Sequence, residues 1–336
     1  MKTAVIGAGS WGTALAAVLA SNGHEVAVWD RNSERLAEMR LCRENKRYLP
    51  GAVLPSSIEY FENARDALAN AKLAVFAVPA QHFAEVFPAF CGFLCDDAVA
   101  VNVAKGIDCA TLKRLSKIAE DHIPQERFAV LSGPSHAEEV VKQLPAAVVA
   151  ASKSLKTAEF VQDAFMNGAF RVYTSCDVAG VELGGALKNI IALGAGISDG
   201  IGFGDNTRAA LMTRGITEMV RLGAAMGADV STFSGLSGFG DLIVTCSSVH
   251  SRNRRCGLLI GQGMKPDEAV KSVGMVVEGI YTAKAAQALA VKYGIEMPIT
   301  QAVNDIVSGR ISAKDAAALL MNRKKKHENE ELLKTL

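Results

Sequence analysis

Residues 7–12 read Gly7-Ala8-Gly9-Ser10-Trp11-Gly12, joining an apolar run at 3–6 to a helical pattern at 13–20. In a strand–turn–helix context this G-x-G-x-x-G spacing has a physical meaning. The first glycine makes the tight turn, the second lets backbone approach a pyrophosphate, and the third lets helix pack on strand. A glycine-rich turn alone also fits a plain β-to-α connection that binds nothing. Here, however, a second β-rich run at 25–29 ends in Asp30, eighteen residues beyond Gly12. The set points to a dinucleotide whose pyrophosphate rests on the amides of a helix N-terminus. Asp30 is placed to accept from the adenosine ribose hydroxyls, which favours NADH, while adjacent Arg31 is placed to pair with the 2′-phosphate of NADPH. The sequence leaves that choice open.

Further short β-rich runs at 73–78, 98–103, 128–131, 146–151 and 170–173 alternate with helical stretches. Several are continuous apolar runs, as expected of strands covered on both faces by crossover helices. After Thr174 the strand signal stops and helical periodicity takes over at 178–200, 205–227, 254–263, 266–273, 280–293 and 299–308. The expectation is an α/β chain: a Rossmann-type, doubly wound parallel sheet over 1–175, then an all-helical, substrate-binding domain over 176–336.

Composition removes other classes. The 36 basic and 35 acidic side chains leave a net charge of +1, so no global field favours nucleic acid. Seven scattered cysteines with no C-x-x-C read as reduced thiols of a cytoplasmic protein, and no metal site is expected. There is no signal-peptide pattern and no run of 18 apolar residues, so membrane insertion is not expected. The mixed charges of Arg323-Lys324-Lys325-Lys326 and Glu328, Glu330 and Glu331 read as a solvated end.

Two lysines carry the chemistry. Lys105 follows an apolar strand, at the sheet edge where ligands bind in open α/β folds, although position alone fits a loop lysine equally well. Lys188 lies in a helix with Gly180, Gly184, Gly185, Gly194 and Gly196, each costing about 1 kcal/mol relative to alanine. Gly185, Lys188, Asn189, Ala192 and Asp199 share one face, which suggests room for a ligand around the amine; glycines admitting a neighbouring helix are the alternative. A lysine in that setting can give a proton to a substrate oxygen, and a second cation such as Lys105 would lower its pKa. The glycine-rich run 235–240 reads as a tight loop delivering Asp241, to orient an ammonium or accept a substrate hydroxyl. Ser251-Arg252-Asn253-Arg254-Arg255 reads as a helix start capped by Ser251. Three arginines in a first turn oppose the helix dipole unless an anion binds there, and Arg252 with its short polar neighbours suits a phosphate monoester.

Taken in order, residues 7–12, Val103-Ala104-Lys105-Gly106, Ser132-Gly133-Pro134-Ser135-His136-Ala137-Glu138-Glu139, 181–189, Gly238-Phe239-Gly240-Asp241 and 251–254 resemble NAD(P)-dependent glycerol-3-phosphate dehydrogenase, from residue 1 to about 320. The resemblance implies NADPH- or NADH-dependent reduction of dihydroxyacetone phosphate to sn-glycerol 3-phosphate, a phospholipid backbone. It makes Lys188 the catalytic acid/base and sets Lys105, Gly133, Ser135, Asp241, Ser251, Arg252 and Asn253 around the substrate. It sets Gly7, Gly9, Ser10, Trp11, Gly12, Arg31, Lys105, Ala137, Arg252, Val276 and Glu278 at the cofactor. Gly133, Ser135, Val276 and Glu278 rest on the resemblance alone. Two positions depart from the family pattern: His136 where phenylalanine is usual, and Asp30 where an uncharged residue is usual. A hydroxyacid or 6-phosphogluconate type dehydrogenase, or a non-catalytic NAD(P)H sensor, are the rival readings. Oligomeric state, a homodimer being one option, is left open.

Overall fold

The computed structural model describes residues 1–325, 327 and 328, so Lys326, Glu330 and Glu331 of the charged tail lie outside the described residues. The strands are β1 Lys2–Ile6, β2 Glu25–Trp29, β3 Ile58–Phe61, β4 Leu73–Phe76, β5 Val99–Asn102, β6 Phe128–Ser132, β7 Ala146–Ser152 and β8 Phe170–Ser175. They form one sheet in the order β3-β2-β1-β4-β5-β6-β7-β8. Val5 faces Val28 on one side and Val75 on the other, all parallel. Chain order reverses between β1 and β4, and the crevice beyond their carboxyl ends is where an open α/β sheet takes a ligand.

Two details differ from expectation. β7 runs antiparallel to β6, with Val130 opposite Ala151, so the sheet is not wholly parallel. The β6–β7 connection holds only the one-turn helix Ala137–Val140, too little to carry the chain back across the sheet. β3 carries no long apolar run: it is a four-residue edge strand whose burial alternates.

The sheet is covered on both faces. One side packs against the helix Ser10–Ser21 through Leu15 and Leu19, and the other carries Phe76, Phe83, Phe87 and Phe128 in mutual ring contact. Every residue from Val178 to Ser198 in the central helix Val178–Gly200 is buried, surrounded by the helices that follow. By length and average composition this helix could cross a bilayer, although Glu182 and Lys188 interrupt any unbroken apolar run, and its residues from Val178 to Ser198 are enclosed by the fold.

Glycines make that enclosure possible. A Cβ on Gly196 or Gly200 would lie 2.0 or 2.4 Å from the carbonyl oxygens of Arg254 and Leu258. Reciprocally, a Cβ on Gly257 or Gly261 would lie 2.1 or 2.3 Å from those of Leu193 and Ile197. Helices Val178–Gly200 and Arg252–Gly261 therefore touch backbone to backbone along paired i, i+4 glycines. Gly184 likewise admits the Ser237 carbonyl and Gly180 the Thr232 side chain. The reading of these glycines as ligand space is corrected: they admit neighbouring chain, and Gly185 does so beside Ser132 and Lys105.

Candidate active site

The sequence motif folds as its glycines require. Gly7 has φ +109° and sits so close to β4 that a Cβ would lie 2.7 Å from the Ala77 oxygen. Gly12 packs on Gly7, where a Cβ would meet the Gly7 oxygen at 2.0 Å. Gly9 has nothing within 4 Å of its missing Cβ and lies on a cleft of about 1120 Å³. The first turn of the helix Ser10–Ser21 has no side-chain cap, and Gly9, Ser10 and Trp11 at its start line that opening. Trp11 Nε1 and one carboxylate oxygen of Glu278 are buried without a partner. An uncapped helix start beside an open glycine, with buried polar atoms lacking partners, fits a dinucleotide.

Asp30 lines the cleft and also braces the glycine turn. Its Oδ2 accepts from Ala8 N at 2.8 Å, and Oδ1 accepts from Asn32 N at 2.9 Å and Arg35 Nη1 at 2.8 Å. Asp30 is 7% exposed, and its carboxylate braces the glycine turn against the end of β2. Arg31 is exposed at the cleft edge, and Arg35 stacks on Tyr48 beside it.

The two lysines meet on one carboxylate. Lys188 Nζ donates to Asp241 Oδ1 at 2.8 Å and to Thr245 Oγ1 at 2.7 Å. Lys105 Nζ donates to Asp241 Oδ2 at 2.6 Å and to the Gly133 oxygen at 2.9 Å. Lys188 is buried, not turned out to solvent. Burial pulls its pKa down to about 8; Asp241 opposes the drop and Lys105 adds to it. The expected depression is present, but burial, not the second cation, is its main cause. Burial alone would raise the Asp241 carboxyl, yet the two ammonium groups outweigh it and hold it below the usual range. Asp241 also does not arrive on a loop: residues Leu236–Gly240 form a π-helical turn that runs straight into the helix Asp241–Ser247.

Ser251 caps the helix Arg252–Gly261, its Oγ accepting from Arg254 N. The three arginines divide: Arg252 lines the cleft, Arg254 pairs with Asp199 at 2.7 Å, and Arg255 is exposed. Asp199 thus serves Arg254 and Arg208 rather than Lys188. Asn253 is a brace, donating to Asn189 Oδ1 at 2.9 Å and accepting from Gly279 N at 2.8 Å. Ser135 Oγ bonds the Gly133 oxygen at 2.9 Å, and Gly133 has φ +144° with a would-be Cβ 2.9 Å from Val148 Cα. Glu278 Oε1 accepts from Ala80 N at 3.0 Å, and burial raises its carboxyl, countered by that amide and Arg252.

Gly7, Gly9, Ser10, Trp11, Arg31, Lys105, Ser135, Ala137, Lys188, Ser251, Arg252, Asn253, Val276 and Glu278 all line the one cleft. Gly12, Gly133 and Asp241 stand behind it, holding the turn and the two ammonium groups.

Comparison with known proteins decides the family. Residues 2–158 and 177–318 match the N-terminal and C-terminal models of NAD-dependent glycerol-3-phosphate dehydrogenase. The chain belongs to that family. A glycerol-3-phosphate dehydrogenase of Pelotomaculum thermopropionicum is 52% identical over 98% of this chain and 96% of its own, and one of Bacillus cereus is 51% identical over 98% of each. The crystal structure of glycerol-3-phosphate dehydrogenase from Coxiella burnetii superposes with a TM-score of 0.92 at 38% identity, covering 96% of this chain and 98% of its own.

For a member of the glycerol-3-phosphate dehydrogenase family, two of the cleft residues that the sequence did not single out stand beside the lysine and phosphate groups. Thr245 holds Lys188 from one helical turn beyond Asp241, a spacing hidden because the preceding glycines read as a loop. His250 borders the cleft next to Ser251 and carried no motif of its own.

Proposed function

We infer that this chain catalyses the NAD(P)H-dependent reduction of dihydroxyacetone phosphate to sn-glycerol 3-phosphate, supplying glycerophospholipid synthesis. The observation that carries it is the buried Lys188–Asp241–Lys105 cluster at the base of the cleft that Arg252 and the glycine turn also line. Gly9, Ser10, Trp11, Arg31, Ala137, Val276 and Glu278 would hold the cofactor, with Gly7 and Gly12 shaping the turn. Bound NAD(P)H supplies the hydride. Lys188 donates a proton to the C2 oxygen as that oxygen gains charge, and with a pKa of about 8 it is largely the ammonium acid at neutral pH. Asp241 and Thr245 keep its Nζ in place, which limits the motion lost on reaching the transition state. Lys105 adds a second positive charge beside the developing alkoxide. Ser251 and Arg252 take the phosphate, where a guanidinium and a helix N-terminus favour an anion. Seven unpaired cysteines support a cytoplasmic setting.

A steady-state assay following NAD(P)H absorbance tests this, comparing dihydroxyacetone phosphate with a panel of hydroxyacids and their oxo forms. Turnover is expected with the triose phosphate, and Lys188→Ala should lower kcat by roughly 10²–10⁴ while the cofactor still binds. Near-normal turnover in that variant overturns the assignment of Lys188.

A further inference from the structure

Among the cleft residues, His136 is unexplained by the mechanism above. Its Nε2 is shielded from solvent and has no hydrogen-bond partner, and a buried polar atom without a partner calls for a missing one. The ring lines the same cleft as Lys188 and Arg252. It packs on His250, ring centroids 5.8 Å apart, and His250 directly precedes the Ser251-Arg252 pair read as the phosphate end. A phenylalanine at this position would fill the space and offer no donor.

We propose that His136 donates a hydrogen bond from Nε2 to the substrate phosphate, giving this chain a phosphate ligand that a phenylalanine cannot supply. The inference rests on the triose-phosphate reading. The charged groups acting on the ring are the Lys188–Asp241–Lys105 cluster and Glu138, with His250 in ring contact. Burial, with Lys188 and Lys105 adding to it, holds the imidazole below its ordinary range against the two carboxylates. Near neutrality the ring is therefore uncharged and able to donate from Nε2 to a phosphate oxygen. Donation to a charged acceptor is among the stronger hydrogen bonds a side chain makes.

The test is kinetic, on the full-length enzyme with NADPH. In His136→Phe the KM for dihydroxyacetone phosphate should rise about tenfold while kcat stays within about twofold, the split expected when ground-state and transition-state binding are lost equally. The kcat/KM for unphosphorylated dihydroxyacetone should be unchanged, because that substrate has no group for Nε2 to meet. His136→Gln, which keeps an N–H donor, should recover most of the lost affinity. A KM for dihydroxyacetone phosphate within about twofold of the parent, or an equal loss on both substrates, overturns the proposal. Absence of any triose-phosphate turnover in the parent enzyme would instead fell the functional reading itself, and the proposal with it.

Discussion

Replacing Asp241 by asparagine should move the pH profile of the enzyme rather than merely weaken it. Lys188 has to be protonated to act as the acid in ketone reduction, so kcat for reduction is expected to hold below about pH 8 and fall above it. The reverse oxidation needs the free amine and should rise through the same range. Asp241 Oδ1 sits 2.8 Å from Lys188 Nζ. At an effective dielectric of about 20, a unit charge pair at that distance is worth about 6 kcal/mol. Asparagine keeps an oxygen acceptor but loses the charge; if about half the energy is lost, ~3 kcal/mol is about 2 pKa units. The Lys188 pKa then falls to about 6, with Lys105 still pressing from the other side. At about pH 7.5 the ammonium fraction drops from about three quarters to about 3%, so kcat for reduction should fall about 25-fold and recover towards about pH 5.5. The assay is kcat against pH at saturating NADPH, with circular dichroism establishing that the variant is folded at each pH. A limb that stays near the parent position, or a loss independent of pH, would refute the argument.

Three further outcomes follow from the geometry. Gly257→Ala forces a methyl into the Leu193 carbonyl across the helix contact and should cost roughly 2–3 kcal/mol in thermal or urea unfolding, whereas Gly92→Ala, with open space around it, should be nearly neutral. With Arg31 exposed on the cleft wall, Arg31→Ala should raise the KM for NADPH about tenfold and leave that for NADH little changed; equal effects would show that Arg31 does not read the 2′-phosphate. Glu218 is buried against Ile299 and Thr300, and burial pushes its carboxyl up to about 7. An unfolded glutamate ionises near 4.3, so the folded state holds this proton more tightly. The resulting stability, roughly 3 kcal/mol, is complete below about pH 4.5 and lost as pH rises through about 7. The gap between urea midpoints at pH 5 and pH 8 should therefore shrink in Glu218→Gln, and an unchanged gap would exclude the effect.

Local chemistry was legible from the residues alone. The glycine turn, β1 and β2, the extent of the helix Val178–Gly200 and the Ser251 cap depend on neighbours a few positions away, and each formed as read. What the chain order could not show is which surfaces meet. Lys105 and Asp241 are 136 residues apart and Lys188 and Asp241 are 53, so their shared charge exists only after the sheet edge and the helices close on one another. Asp30 looked free in sequence because Ala8 N and Arg35 reach it only in the folded turn. The helix glycines looked like ligand space because their partners, the carbonyls of Arg254 and Leu258, belong to a helix more than fifty residues later. Periodicity and turn chemistry are properties of a short segment, so the sequence determines them. Whether a buried polar group is a brace, an acid or a ligand depends on what tertiary packing leaves beside it.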